Sequence, residues 1–530
     1  MPNKTTVADL PKELQKIAIL AFTEEVNTLS LDRGINNCFD ISIAISSDGS
    51  RVAVGGNGIS SEEHVNVGVV YIFLKTSTGW TQEARLVASN EPANKWFGNS
   101  VAISANGSTI VVGAGNYNIN PNVAGSAYIF LRTGTTWTQV SKLAPNDGKK
   151  GDCFGGSVAI SADGARVAIG AMWEDLGNTP RAGAVYIFSR SAYVWSQEAK
   201  LVASDRTSFA NFGNSVSISG NGDKVIIGEY ESKSQEIYRA GAAYIFSRNG
   251  VNWAQESKLV ASDKAANDTF GYSVSISGDG SRVAIGSPNC DIENAGCAGA
   301  VYVFSHDNVT WVQEAKLTAN DGNAYDNFGW SVSMSSDGAR VAIGVRCSSP
   351  ADVVKAGAAY IFSWDGTMWS HKSKLVAGDK SINDFFGHSI AISSNGARVV
   401  IGALKSTCNN DGGITDRSGF IYDYDIPNCQ KLLHGDDFLK AIEDKIDKKD
   451  LPFISRLIID YYSNIHTPKS SDPAKSLIPN EAVETVRISM DINDNIVEVV
   501  QSKFGYDFVY CHSNVFIFVK NKVTLVVTAI

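Results

Sequence analysis

The chain has 530 residues, 44% of them hydrophobic and 19% charged, with a formal net charge of −9. Such a length ordinarily implies several domains, and an acid excess without any cluster of Lys and Arg argues against nucleic acid as a partner. No run approaches the roughly 18 apolar residues that a membrane span needs.

In chain order, residues 1–21 read as an extension whose one apolar run, "IAILAF", is too short for the core of a secretory signal. Beyond it a phenylalanine returns at Phe39, Phe97, Phe154, Phe212, Phe270, Phe328 and Phe386, always 57 or 58 residues after the last. Trp80, Trp137, Trp195, Trp253, Trp311 and Trp369 keep the same phase. A period held over seven units marks a repeat architecture. Each unit holds four apolar runs, in the third "SVAIS" (157–161), "ARVAIGA" (165–171), "GAVYIF" (183–188) and "VWSQEAKLVAS" (194–204). Asp163-Gly164 between the first two predicts a two-residue type I′ turn. Four short antiparallel strands, apolar on both faces, predict the blade of a β-propeller. The charges of the recurrent "QEAKL" (197–201, 313–317) fall on the outermost strand and read as a solvated rim.

The seventh unit stops near Asp425, one strand short. "FTEEVNTLSLDRGINNCF" from Phe22 aligns without a gap to "WSHKSKLVAGDKSINDFF" from Trp369, so residues 22–30 are expected to supply the missing strand and leave no open sheet edge. The predicted fold is an all-β seven-bladed β-propeller over residues 22–425, with four-stranded antiparallel blades closed by the N-terminal strand. A linker at 426–437 leads to a small α+β module at 438–530. Its helices carry Phe438, Ile442 and Ile446 and span "PFISRLIIDYYSNI"; its last strands, "VFIFVK" and "VTLVVTAI", turn at Asn521-Lys522.

The Phe-Gly that opens each unit after the first, and the Gly-Ala or Gly-Ser-Pro that closes strand two (Gly113-Ala114, Gly170-Ala171, Gly286-Ser287-Pro288, Gly402-Ala403), resemble the FG-GAP repeat of integrin α-chain head propellers. The resemblance implies a non-catalytic recognition platform that takes a ligand on one face of the ring. Calcium-binding members carry a D-x-D-x-D-G loop between strands one and two. Here that loop offers only pairs such as Asp163-Gly164 or Asn221-Gly222, too few oxygens for calcium, so neither metal nor cofactor is expected.

The connections from strand two to three and from four to the next unit are long, differ between units and emerge on one face. That is the usual layout of a binding surface on a rigid scaffold. Its expected exposed aromatics are Trp96, Tyr117, Trp173, Tyr230, Tyr238 and Tyr325, interspersed with acids such as Glu174 and Glu231, a mixture suited to a protein or glycan partner. The seven histidines are scattered and fit no hydrolase or metal motif. The expectation is therefore a non-enzymatic binding or assembly protein, attached through its C-terminal module and suited to a large particle such as a virion. A propeller hydrolase or lyase with an axial site is the alternative. Cys290 and Cys297 share one loop and read as free thiols.

Overall fold

The computed structural model describes residues 38–426, apart from loop segments 59–67, 90–95, 116–123, 234–236 and 409–413 and the single residues 78, 193 and 308, together with the strands between 486 and 529. Six blades each hold four antiparallel strands paired in sequence order, and the seventh contributes three. Blade three is typical, with strands Phe154–Ile160, Arg166–Ala171, Ala184–Ser191 and Val194–Leu201. Val167, Ala168, Ile169, Val185, Tyr186 and Ile187 are all fully buried, so residues of both parities are apolar. The cause is a neighbouring blade on either side, which leaves strands two and three no wet face.

One circle of hydrogen bonds closes the ring. The N–H of Ser47 donates to the carbonyl of Ala105, Ala105 to Ala162, Ala162 to Gly220, Gly220 to Gly278, Gly278 to Ser336, Ser336 to Ser394, and Ser394 back to Ser47, at 2.8–3.2 Å. These residues directly follow the first strands, and only innermost strands can meet in one circle, so strand one lines the axis. All seven are Ser, Ala or Gly; a Cβ on Gly278 would stand 2.0 Å from Ser336 Oγ. The circle joins blade seven to blade one without the expected closing strand at 22–30, which lies outside the described residues. The two expected helices after residue 437 and the Asn521-Lys522 turn lie outside them too. The C-terminal strands Val486–Ile492, Asn495–Gln501, Asp507–His512, Val515–Lys520 and Val523–Ala529 form a separate antiparallel sheet, in which the second and fourth flank the fifth. Lys520 pairs with Val523 where the last two strands lie antiparallel.

The turn between strands one and two is not the two-residue type I′ expected. Ser161 N–H donates to the Arg166 carbonyl and Gly164 N–H to the Ser161 carbonyl, each at 2.9 Å, which makes a four-residue loop. A type I′ turn needs positive φ at both central residues; here Gly164 has φ 69° and Asp163 is not left-handed. Asp163 instead fixes the loop through its side chain. Its Oδ1 accepts from Ser161 Oγ at 2.6 Å and from the Ala165 N–H at 2.9 Å. The short turn that opens in the left-handed region is the one between strands three and four, where Gly134, Ala192 and Gly250 have φ 62°, 54° and 63°.

The Phe-Gly and Gly-Ala pairs meet at each blade boundary. Phe154 is fully buried and lies edge-on to Tyr186 and Phe188, with centroids 5.6 and 6.1 Å away. Its N–H donates to Ala124 of the preceding blade at 2.9 Å. Gly155 follows at φ 88°, and its carbonyl accepts from Ser100 Oγ, also of the preceding blade, at 2.9 Å. A Cβ on Gly113 would come within 2.1 Å of that same carbonyl. One glycine is thus required by its left-handed backbone and the other by a carbonyl pressed against its Cα.

The "QEAKL" run is a clasp between blades, not a solvated rim. Phe188 pairs with Gln197 and Ile187 with Ala199, so Glu198 is the extra residue of a β-bulge. A bulge re-aims its side chain. Glu198 accepts from Arg166 Nε of its own blade at 3.0 Å, and from Arg248 Nε and Trp253 Nε1 of the next at 2.6 and 2.9 Å. The same bulge carries Glu83 and Glu256, which accept from Trp137 Nε1 and Trp311 Nε1. Gln197 reaches the other way and accepts from the Asn146 N–H of blade two at 2.9 Å. Where blade seven meets blade one, Asp423 takes the glutamate's place and accepts from Trp80 Nε1 and Lys75 Nζ at 2.9 and 2.6 Å.

Candidate functional site

The long loops emerge at the end of the axis opposite the circle of hydrogen bonds, and much of their polar chemistry is repeated from blade to blade. Asp147, in the loop leaving blade two, accepts from Tyr186 Oη at 2.8 Å and Lys200 Nζ at 2.5 Å of blade three. Asp205 with Tyr244 and Lys258, Asp263 with Tyr302 and Lys316, and Asp321 with Tyr360 and Lys374 repeat the triad. Burial alone would raise the Asp147, Asp205 and Asp263 carboxyls, but the hydrogen bonds from the lysine and tyrosine outweigh it and hold all three below the usual carboxylate range.

A second, buried acid precedes each of several Phe-Gly pairs. Asp152, Asp268, Asp326 and Asp384 accept from the N–H groups of Lys149, Ala265, Asn323 and Ser381 at 2.6–2.9 Å and so shape the turn three residues earlier. Burial pushes Asp152 and Asp268 up to about 6. Chemistry that recurs at fixed register in four blades is that of the scaffold. Only the third partner of the tyrosine varies. It is Glu174 in blade three, Glu229 in blade four, where burial pushes the carboxyl up to about 7, and the Cys290 thiol in blade five, 3.6 Å from Tyr302 Oη. Cys290 and Cys297 are both free thiols.

The residue after each Phe-Gly breaks the repetition. In blades two and four it is Asn99 and Asn214, whose side-chain amides bridge to the carbonyls of Gly156 and Tyr272 of the next blade at 3.0 Å. In blades five, six and seven it is Tyr272, Trp330 and His388. These rings pack against one another at a tilt, Tyr272 to Trp330 at 4.5 Å and Trp330 to His388 at 6.1 Å, and Tyr230 extends the row edge-on at 5.5 Å from Tyr272. All four stand at the long-loop end of strand one or beside it and are half-buried. They form a crescent of rings over blades four to seven at the mouth of the axis. The Arg346 guanidinium lies 3.3 Å from the Trp330 ring centre and 5.9 Å from that of Phe385.

The expected binding residues divide. Tyr238 and Tyr325 are 58% and 70% exposed, as predicted. Trp96, Trp173 and Tyr230 are half-buried, not exposed: the Arg181 guanidinium covers Trp173 at 5.1 Å, and Tyr230 belongs to the crescent. Tyr117 lies outside the described residues. Glu174, read as a surface acid, is buried against Tyr186 and Lys200. Phe209, Tyr272, Trp330 and Arg346 were not foreseen. The signal for the rings was present: aligned units show Asn, Gly, Asn, Tyr, Trp and His in one column after Phe-Gly, a change from small or amide residues to rings. Phe209 is 55% exposed at the register of Tyr325, three residues before Phe-Gly.

Both of those exposed rings sit on a left-handed backbone, with φ 63° at Phe209 and 67° at Tyr325. At the same register Asn267 and Asn383 have φ 69° and 61°, and asparagine tolerates this conformation where an aromatic side chain is strained. The backbone is held there by hydrogen bonds across the blade boundary, from Phe209 N–H to Pro180 at 2.8 Å and from Tyr325 N–H to Gly296 at 2.8 Å. Among the described residues, no three His, Cys, Asp or Glu side chains converge as a metal site, and no helix is long and apolar enough to cross a membrane.

No curated protein matches the chain in sequence. Among solved structures, the periplasmic gluconolactonase PpgL of Pseudomonas aeruginosa is similar over 64% of this chain and 86% of that one, at 14% identity and a TM-score of 0.43, a likeness too distant to bear on chemistry. The FG-GAP repeat model matches residues 80–130, 137–188, 195–246, 253–304, 311–362 and 369–422, six units in the phase of the observed blades. Phe-Gly turns, facing glycines and matched repeats agree: the chain belongs to the FG-GAP repeat family.

Proposed function

We propose that this is a non-enzymatic binding protein whose long-loop face takes a protein or glycan partner. The observation that carries the reading is the pair Phe209 and Tyr325. Each sets a large ring in solvent on a strained backbone, in a register where other blades use asparagine. Each ring stays more than half exposed, and backbone strain kept for an exposed ring is the mark of a functional surface. The acids and tyrosines nearby are engaged in blade-to-blade bonds that recur around the ring, which favours scaffold over catalysis.

Phe209→Asn with Tyr325→Asn is expected to separate stability from binding. Relief of left-handed strain, up to about 1 kcal/mol per site, should leave the melting temperature equal or slightly higher. Retention of the native partner by the immobilised full-length chain should fall at least several-fold. Equal retention by both chains, with melting unchanged or raised, would remove these rings from any interface and the reading with them.

A further inference from the structure

The Arg346 guanidinium stands beside the crescent of rings at the mouth. No acidic side chain pairs with it among the described residues, and its Nε is buried without a hydrogen-bond partner. On the same face Lys200, Lys258, Lys316 and Lys374 each have an aspartate and Arg239 has Glu231 at 2.9 Å, while Arg181, at the register of Arg239, lies over Trp173 at 5.1 Å. Arg346 lies over the Trp330 ring and near that of Phe385, so ring faces hold it in place while its charge stays unmatched. A planar, pre-oriented guanidinium favours a bidentate carboxylate.

The setting selects what carries the carboxylate. At the mouth the N–H groups that open strand one are already engaged: those of Gly213, Gly271 and Gly387 donate to Gly228, Gly286 and Gly402 of strand two, and Phe328 N–H donates to Ala298. A peptide backbone would find few ladder partners there. A pyranose needs none, since its C–H faces pack on rings such as Tyr272, Trp330 and Tyr230. We propose that the Arg346, Trp330 and Tyr272 corner of the mouth binds an acidic sugar through its carboxylate. This rests on the long-loop face being the binding face, and it names the ligand class.

The probes are immobilised oligosaccharides ending in glucuronic, galacturonic or sialic acid, their neutral counterparts, and a poly-glutamate peptide, offered to the full-length chain. At least one carboxylate sugar should be retained and its neutral counterpart not. Arg346→Gln should weaken that retention roughly tenfold to a hundredfold, the worth of a charge-assisted pair, with an unchanged melting temperature. Trp330→Leu should weaken it as well. Retention of acidic and neutral sugars alike, no retention of any sugar, or retention insensitive to Arg346→Gln would each overturn the assignment. Retention of poly-glutamate alone would also overturn it, yet leave the long-loop face as a binding face, which the Phe209 and Tyr325 pair tests separately.

Discussion

Gly170→Ala is expected to destabilise the ring by about 3 kcal/mol or more, a cost set by overpacking against backbone that cannot yield. Its Cβ would stand 2.1 Å from the Gly213 carbonyl of the next blade and 2.3 Å from Ser157 Oγ, the hydroxyl that donates to that same carbonyl at 2.8 Å. Moving Gly213 away means breaking this bond and shifting a residue held at φ 88°. For a ring this large each kcal/mol moves the midpoint by a degree or two, so the melting temperature should fall by about 3–6 °C or more. Gly177→Ala is the control. It has φ 64° with no atom within 4 Å of its Cβ, so only the left-handed cost of about 1 kcal/mol applies. Equal melting of the two variants would show that the blades adjust and that the facing glycines are not what sets their spacing.

Glu198→Gln carries the second large effect, and its size depends on pH. The side chain is 12% exposed and accepts from two guanidinium groups and an indole. Removing the charge leaves Arg166 and Arg248 to share only the more exposed Asp223, at 3.2 and 3.5 Å, at a cost of about 2–3 kcal/mol, below that of a fully buried pair. Burial works to raise the Glu198 carboxyl, but hydrogen bonds from Trp253, Arg166 and Arg248 and the Arg166 charge prevail and lower it from 4.5. Because the folded value lies below the unfolded one, the contribution is complete above the ordinary glutamate value and is lost as pH falls through the folded value. Thermal melts should therefore show the variant well below the native chain near about pH 7, with the gap closing as the pH falls below the ordinary glutamate range. A gap that is constant with pH would mean that the clasp works through shape and not through charge.

Much of this was legible in the residues because seven units repeat one another. The phase of Phe and Trp gave the number of blades, and apolar residues of both parities in "RVAIGA" announced a sheet covered on both sides. Local rules failed where a tertiary contact decided the outcome. Asp163-Gly164 satisfies the signature of a two-residue turn, yet Asp163 spends its carboxylate on Ser161 and Ala165 and holds a longer loop. "QEAKL" alternates as a surface strand should, but the bulge at Glu198 turns the acid toward the next blade. Trp173 and Tyr230 carry no mark in their own loops of the cation or ring that half-covers them. Arg346 was the hardest to foresee, since its meaning lies in the absence of a nearby acid, a property of folded space that spacing along the chain does not encode.

The central claim is that binding belongs to the long-loop face and the opposite face is scaffold. Oxidative footprinting of the chain, recovered with its partner from the native source and compared with the free chain, tests this most directly. The account predicts protection at Phe209, Tyr238, Tyr325 and Trp330, with Val251, Val309 and Met368 at the opposite turns, exposed by 76%, 87% and 59%, oxidised as before. Protection of Val251, Val309 and Met368 with Tyr238 and Tyr325 still reactive would contradict it and move the interface to the other side of the ring.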